Sequence, residues 1–515
     1  MKSVTRWNRN FTCVLLFILI TLPLFSYGEF NFLRLHQQAV AGDVKAQWRL
    51  AKRYFSGYGV EYSNKDAALW LRMAAEQGDA EAQFQLARCY SKGFCCDPEQ
   101  VSRSKRAECA LVWLRKAVAQ GHTMAQAALA EAYERGLGVV ESPNEALFWY
   151  HKAANGGLIE AQLRLADCYE RGIGVQKDER LAFYWIQVAA KQDHIEALMR
   201  LGQCYEDGVG VTRSLEKAFE SYQKAAFLYR IPRQARALYG SRVRRPFERL
   251  AIFYEHGYGV KQSWVEALRA YQIAGGWSLT EEKKSIMLAA VRQEAESGNK
   301  EAWRILGSVS IEQEENVETA LTYYQKAATC GDVIAMCALG KYYLTNNQYF
   351  LENPDRKVEA FVDDARIDEA IKWFLEATKH GNTEAKYILA TLVLFDDFYD
   401  IIRPDPEEDD TPGTVSRLVP FGKVTRFSTD EGMRWLQDAA MAGAPEAQLA
   451  LAKCYLKGHC IEQNLEHAFQ WCFKSATQGY GPACLQLSEF YERGVGVEAS
   501  EELAEEWWYK GKMAD

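Results

Sequence analysis

The chain repeats itself. An alanine-led pattern returns eleven times, and its clearest copies stand 36 residues apart: Ala46 to Ala82, Ala125 to Ala161, Ala161 to Ala197 and Ala447 to Ala483. A fixed period of that length points to a stack of small, similar units rather than one globular core. Each unit carries an apolar face that only its neighbours can bury. Such a stack makes extended surface, and extended surface serves binding.

Within one unit, Ala46, Leu50, Ala51 and Tyr54 fall on a single helical stripe. Gly57-Tyr58-Gly59-Val60 follows, where glycine just past a periodic run stops a helix. A second stripe runs through Ala67, Trp70, Leu71, Ala74 and Ala75, and Gln77-Gly78-Asp79 hands over to the next unit. The unit is therefore helix, glycine turn, helix, short turn. The GxGV turns follow helices rather than strands and recur in unit after unit, so they read as caps and not as phosphate cradles.

Taken together, the recurring turns, tyrosines and alanines resemble the Sel1-like repeat family, a branch of the tetratricopeptide-type solenoids. YERGLGVVESPNEALFWYHKAANGG after Ala125 and YERGIGVQKDERLAFYWIQVAAKQD after Ala161 carry the likeness, which spans about residue 38 to the end. The resemblance implies an all-α fold, a right-handed α-α superhelix of about eleven helix-turn-helix repeats. It also implies an adaptor's role in bacterial envelopes, in host contact or in eukaryotic lumenal quality control. One branch of the family is rich in cysteine, with one bridge per unit and a proposed β-lactamase-like activity. Cys484 matches one half of that bridge, but Ala476 occupies the other half, so the activity does not carry over.

Some units depart from the pattern. Long insertions fall near residues 345–366 and 396–428, and Trp277 to Ser285 reads as a change of pitch. The expected organisation is a signal peptide over 1–28, repeats 1 to 6 over 29–278, and repeats 7 to 11 over 279–515. Lys2, Arg6 and Arg9 followed by the apolar run Phe11 to Phe25 and small residues at Ser26 and Gly28 form the export signal. Cleavage before Glu29 would leave no stable membrane span, and an uncleaved N-terminal anchor is the alternative. The only Asn-X-Ser/Thr site is Asn10, which leans towards a periplasmic or secreted bacterial protein over one of the endoplasmic reticulum lumen.

Net charge is −8, and three units more negative without Lys2, Arg6 and Arg9, which argues against nucleic acid as a partner. No nucleophile elbow, phosphate loop or zincin motif is present, so no catalytic residue, metal or cofactor is assigned. The expected function is an exported, non-catalytic scaffold that binds a protein partner. A cell-wall or β-lactam hydrolase ranks last.

Binding residues are sought on the first helices, which line the concave face in related solenoids. The residue before the repeat leucine is Arg49, Arg164, Arg200 and Arg249 in four of the first six units and never arginine in the last five. With neighbouring Lys52, Arg53 and Arg88 these suggest a basic groove for an acidic peptide or glycan. Glu160 and Glu196 stand four residues before Arg164 and Arg200, so ordinary helix-surface pairs compete with that reading.

Twelve cysteines remain after Cys13. Cys89, Cys168, Cys204 and Cys454 precede the repeat tyrosine, and Cys95 and Cys460 follow two of them by six residues. Local disulfides Cys89–Cys95 and Cys454–Cys460 are therefore weighed against plain burial. Cys168 and Cys204 occupy equivalent places about 9 Å apart and are expected to be free and buried. A zinc site over Cys454, His459, Cys460, His467 and Cys472 fails on spacing.

Overall fold

The computed structural model describes residues 27–94, 102–229, 244–274, 280–312, 317–345, 366–395 and 427–514. All regular structure among them is α-helical, in 24 helices. They form two compact units, Met1–Leu228 and Tyr229–Asp515.

The first unit opens with a helix, Tyr27–Val40, that packs on the first of five hairpins. These are Val44–Ser56 with Asn64–Glu76, Ala80–Lys92 with Arg103–Ala119, Thr123–Arg135 with Pro143–Asn155, Ile159–Arg171 with Glu179–Ala190, and Ile195–Asp207 with Leu215–Tyr229. The second unit holds six: Arg244–His256 with Trp264–Ile273, Lys300–Glu312 with Val317–Thr329, Val333–Thr345 with Ile367–Lys379, Thr383–Leu394 with Thr429–Met441, Pro445–Lys457 with Leu465–Thr477, and Gly481–Arg493 with Glu501–Ala514. Eleven hairpins answer eleven sequence units.

Most of the hairpins share one closure. Asp43 accepts from the Ala46 N–H at 3.0 Å and Asp79 from Ala82 at 2.7 Å, satisfying orphan donors at the start of the first helix. Gly57, at φ 76°, ends that helix in the left-handed region. The chain then folds back so that the residue nine after the repeat tyrosine donates its N–H to the tyrosine carbonyl. Ser63 does so to Tyr54, Ser142 to Tyr133 and Asp178 to Tyr169, at 2.9, 2.9 and 3.0 Å. The eighth hairpin keeps this closure across its insertion, with Arg366 N–H donating to the Tyr343 carbonyl at 2.9 Å.

Stacking then buries what the hairpins expose. The repeat alanines Ala82, Ala125, Ala161 and Ala197 and the repeat leucines Leu50, Leu86 and Leu165 are buried. Each such leucine contributes on the order of 1.5–3 kcal/mol through removal from water. The second turn glycine is set by backbone contact with the preceding hairpin. A Cβ on Gly174, at φ 67°, would stand 2.6 Å from the Pro143 carbonyl oxygen.

Two features differ from the sequence reading. The compact units part between Leu228 and Tyr229, so the sixth hairpin groups with the later ones instead of the earlier five. The change of pitch near Trp277–Ser285 is a solitary helix, Glu281–Glu296, between the sixth and seventh hairpins. It buries only Met287, Val291 and Ala295, a stripe too narrow to register as a repeat. The signal segment, the bulk of both insertions and Cys95 lie outside the described residues.

Candidate functional site

The first-helix arginines form a ladder between hairpins. Arg164 donates to both carboxylate oxygens of Glu134 in the preceding hairpin, at 2.7 and 2.6 Å. Glu134 also accepts from the Tyr150 hydroxyl at 2.7 Å. Burial, then the Glu134 contact, holds the Tyr150 hydroxyl well above the usual range for a phenol. Arg200 reaches back in the same way, to Asp167 at 2.8 Å and Glu170 at 2.9 Å, and Asp167 lies 3.7 Å from Arg164. Glu134, Arg164, Asp167, Arg200 and Glu170 thus alternate in sign across three hairpins.

The competing helix-surface pairs with Glu160 and Glu196 are therefore corrected: the partners come from the neighbouring hairpin. The reason is register, because the acid ending one first helix stands opposite the arginine thirty residues later. Arg164 and Arg200 are neutralised, and Arg49 and Arg249 are half-buried. Arg53 is buried, with its guanidinium over the Tyr58 ring at 5.2 Å. Lys52 and Arg88 are exposed, Lys52 over Trp48 at 5.0 Å and Arg88 bonded to Gln85 at 3.1 Å. At Arg164 and Arg200 the row is an interlock between hairpins.

The second unit repeats the device. Glu301 accepts from Arg269 and from Arg304, both at 2.9 Å, and Arg304 also donates to Asp332 at 3.1 Å. Lys341 is wholly buried and pairs with Glu384 of the next hairpin at 2.6 Å.

A second interlock was missed in the sequence. Gln47, Gln83, Gln162 and Gln448 each follow the repeat alanine and are buried. Their amides donate to the carbonyls of Ala39, Ala75, Ala154 and Ala440 on the preceding helix, at 2.9 to 3.1 Å. Their oxygens accept from Gln77, Gln120, Gln192 and Gln478 at 2.9, 2.9, 3.0 and 2.8 Å. The signal was legible in the recurring Ala-Gln pairs. In the last hairpin Cys484 takes the glutamine's place, and its thiol lies 3.5 Å from the Ala476 carbonyl, the same eight-residue offset.

The cysteines are placed by burial. Cys168 and Cys204 are free and buried, as expected from their equivalent positions. Cys454 and Cys460 are separate free thiols, so of the two readings weighed the bridge is the one that fails. Cys454 points into the core, whereas Cys460 replaces the second turn glycine at φ 57° on the exposed turn. Cys89 is buried, and its supposed partner Cys95 is among the residues not described. The remaining soft ligands are spent elsewhere: His459 Nε2 contacts the Leu394 carbonyl at 2.8 Å, and His467 stacks on Tyr455 at 5.2 Å.

The Sel1 repeat pattern matches ten stretches: 44–79, 80–122, 123–158, 159–194, 195–226, 248–274, 307–332, 333–382, 445–480 and 481–515. The interrupted ninth hairpin, Thr383–Leu394 with Thr429–Met441, falls between matches. Among solved structures, c5321, a protective antigen of uropathogenic Escherichia coli with an SLR fold, is 26% identical, covering 92% of this chain and 85% of that one at a TM-score of 0.42. A Sel1 repeat protein from Oxalobacter formigenes is 26% identical over 53% of this chain and 92% of its own, at 0.29. No curated protein sequence matches the chain. With ten matched repeats spread over more than half of its length, each a helical hairpin locked to its neighbour, the chain belongs to the Sel1 repeat family.

Proposed function

We propose that the chain is an exported, non-catalytic scaffold that holds another protein in the bacterial envelope or in host contact. As a Sel1 repeat solenoid it belongs to a class that works through protein–protein interaction. The observation that carries the non-catalytic reading is the fate of its recurrent ionisable groups. Glu134, Asp167, Glu170, Arg164 and Arg200 are spent on one another between hairpins, so the polar positions that recur serve stacking. Export rests on the basic, then apolar, then small-residue order of the first 28 residues. Among the described residues no helix is long and apolar enough to cross a membrane.

The test is expression of the full chain with a C-terminal tag in a Gram-negative host, followed by fractionation and intact mass. A mature chain beginning at Glu29, outside the cytoplasm, with no turnover of peptidoglycan or a chromogenic β-lactam, supports the reading. A cytoplasmic full-length chain would remove export, and measurable hydrolysis would remove the non-catalytic half.

A further inference from the structure

The second helices of the first unit carry a surface that stacking does not explain. Trp70, Trp113, Trp149 and Trp185 mark equivalent positions, and each turns inward to some degree. The residue just before each one turns outward. Leu69, Val112, Phe148 and Tyr184 are 52, 54, 50 and 52% exposed. All six hairpins of the second unit place a polar residue there, from Arg269 to Glu506. The apolar row is therefore a property of four consecutive hairpins and not of the repeat.

A basic strip runs beside it. Three or four residues after the row stand Arg72, Arg115, Lys116 and Lys152, all exposed, and no acid occupies any of those positions in the four hairpins. Lys116 Nζ lies 4.1 Å from the Trp113 ring centre, and Lys152 Nζ lies 4.7 and 4.9 Å from Phe148 and Trp149. Arg72 bonds the Tyr90 hydroxyl at 2.8 Å. Among the described residues none of the four cations meets a carboxylate, in contrast to the first-helix arginines. On the other edge Asp66 is bound by Ser63 and Glu108 by Lys105.

We infer that this face docks an acidic amphipathic helix of the partner protein, an inference that rests on the scaffold reading. Helices in direct contact lie about 8–10 Å apart, and a stacking rise of that order between hairpins spaces the row at about 10 Å. Seven residues of an α-helix advance about 10.5 Å. A helix crossing the four hairpins can set an apolar residue, one per heptad, against Leu69, Val112, Phe148 and Tyr184. Acids along one flank then face Arg72, Arg115, Lys116 and Lys152. A lipid surface fits less well. The row is one side chain wide, and its far edge mixes Asp66, Glu108 and Glu145 with Lys65 and Arg180, so it presents no continuous cationic face to anionic headgroups.

The probe is a fluorescein-labelled 28-residue helical peptide with leucine at every seventh position and glutamate along one flank, titrated by anisotropy against the full mature chain. Binding should weaken at least tenfold in the pair Phe148→Asp with Tyr184→Asp, and equally in Arg115→Glu with Lys116→Glu. All four sites are surface positions, so melting temperature should not move. Lys372→Glu in the second unit should leave binding unchanged. Absence of peptide binding by the wild type, equal binding by the variants, or preference for phosphatidylglycerol vesicles over the peptide overturns the inference. A natural partner retained by both variant pairs would also overturn it while leaving the scaffold reading intact. Substrate turnover would strike the scaffold reading itself.

Discussion

Arg164 crosses from one hairpin to the next and donates to both carboxylate oxygens of Glu134, at 2.7 and 2.6 Å. The contact joins hairpins that share no covalent closure, so it acts on their coupling more than on either alone. Both side chains keep some solvent, 39% for Arg164 and 23% for Glu134, which limits the pair to about 1 kcal/mol. A double-mutant cycle with Glu134→Gln and Arg164→Met in urea should return a coupling of that size. Additive single effects would assign the arginine to the surface instead.

The glutamine interlock should cost more to lose, because it is drier. Gln162→Ala strips the donor from the Ala154 carbonyl and the acceptor from Gln192. A loss of about 1–3 kcal/mol follows from leaving buried polar groups without partners. Chemical denaturation reads it. A change within about 0.3 kcal/mol would show that water replaces the amide.

Gly174 and Gly157 separate two costs of adding a methyl group. Both have positive φ, 67° and 90°, but a Cβ meets nothing within 4 Å at Gly157 and the Pro143 carbonyl at 2.6 Å at Gly174. Gly157→Ala should cost about 1–2 kcal/mol for the left-handed backbone alone. Gly174→Ala should cost at least about 2 kcal/mol beyond that, since the hairpins must part. Equal costs would mean the turn does not hold its neighbour.

Buried thiols give the array an alkaline limit. Burial first, then the nearby Glu134 and Glu170 charges, pushes Cys168 and Cys204 up to about 11, and burial pushes Cys337 and Cys454 up to about 12. The unfolded thiols ionise near about 8.5. Below that the folded and unfolded chains hold these protons alike. As pH rises from the unfolded value towards the folded ones the unfolded state loses these protons first, so stability falls from about pH 8.5 and levels off only as the folded thiols ionise in turn. Melting temperature followed over that range should decline, less steeply in Cys168→Ala with Cys204→Ala. At pH 8 iodoacetamide should mark exposed Cys330 and Cys460 well before these four.

The hairpins were legible because their signals are local. Alanine spacing, glycine turns and tryptophan positions each declare a helix end or a buried stripe within one unit. The Tyr54 to Ser63 closure survives even the eighth hairpin's insertion, as Tyr343 and Arg366 show. What escaped was lateral. Arg164 reads on paper as the neighbour of Glu160, four residues away, yet it finds Glu134, thirty residues away, because hairpin stacking sets that distance. The Ala-Gln pairs were visible and unread for the same reason. Helix Glu281–Glu296 belongs to no repeat and had no period to betray it. The apolar row at Leu69 and Phe148 emerges only once burial separates it from the tryptophans beside it.

Native mass spectrometry of the tagged mature chain, recovered gently from the envelope fraction and medium, tests the central claim most directly. The account predicts a discrete complex with a second protein at fixed stoichiometry, dispersed by reversing charge on the second-helix strip. A chain that flies alone from every fraction while converting a small-molecule substrate would contradict it.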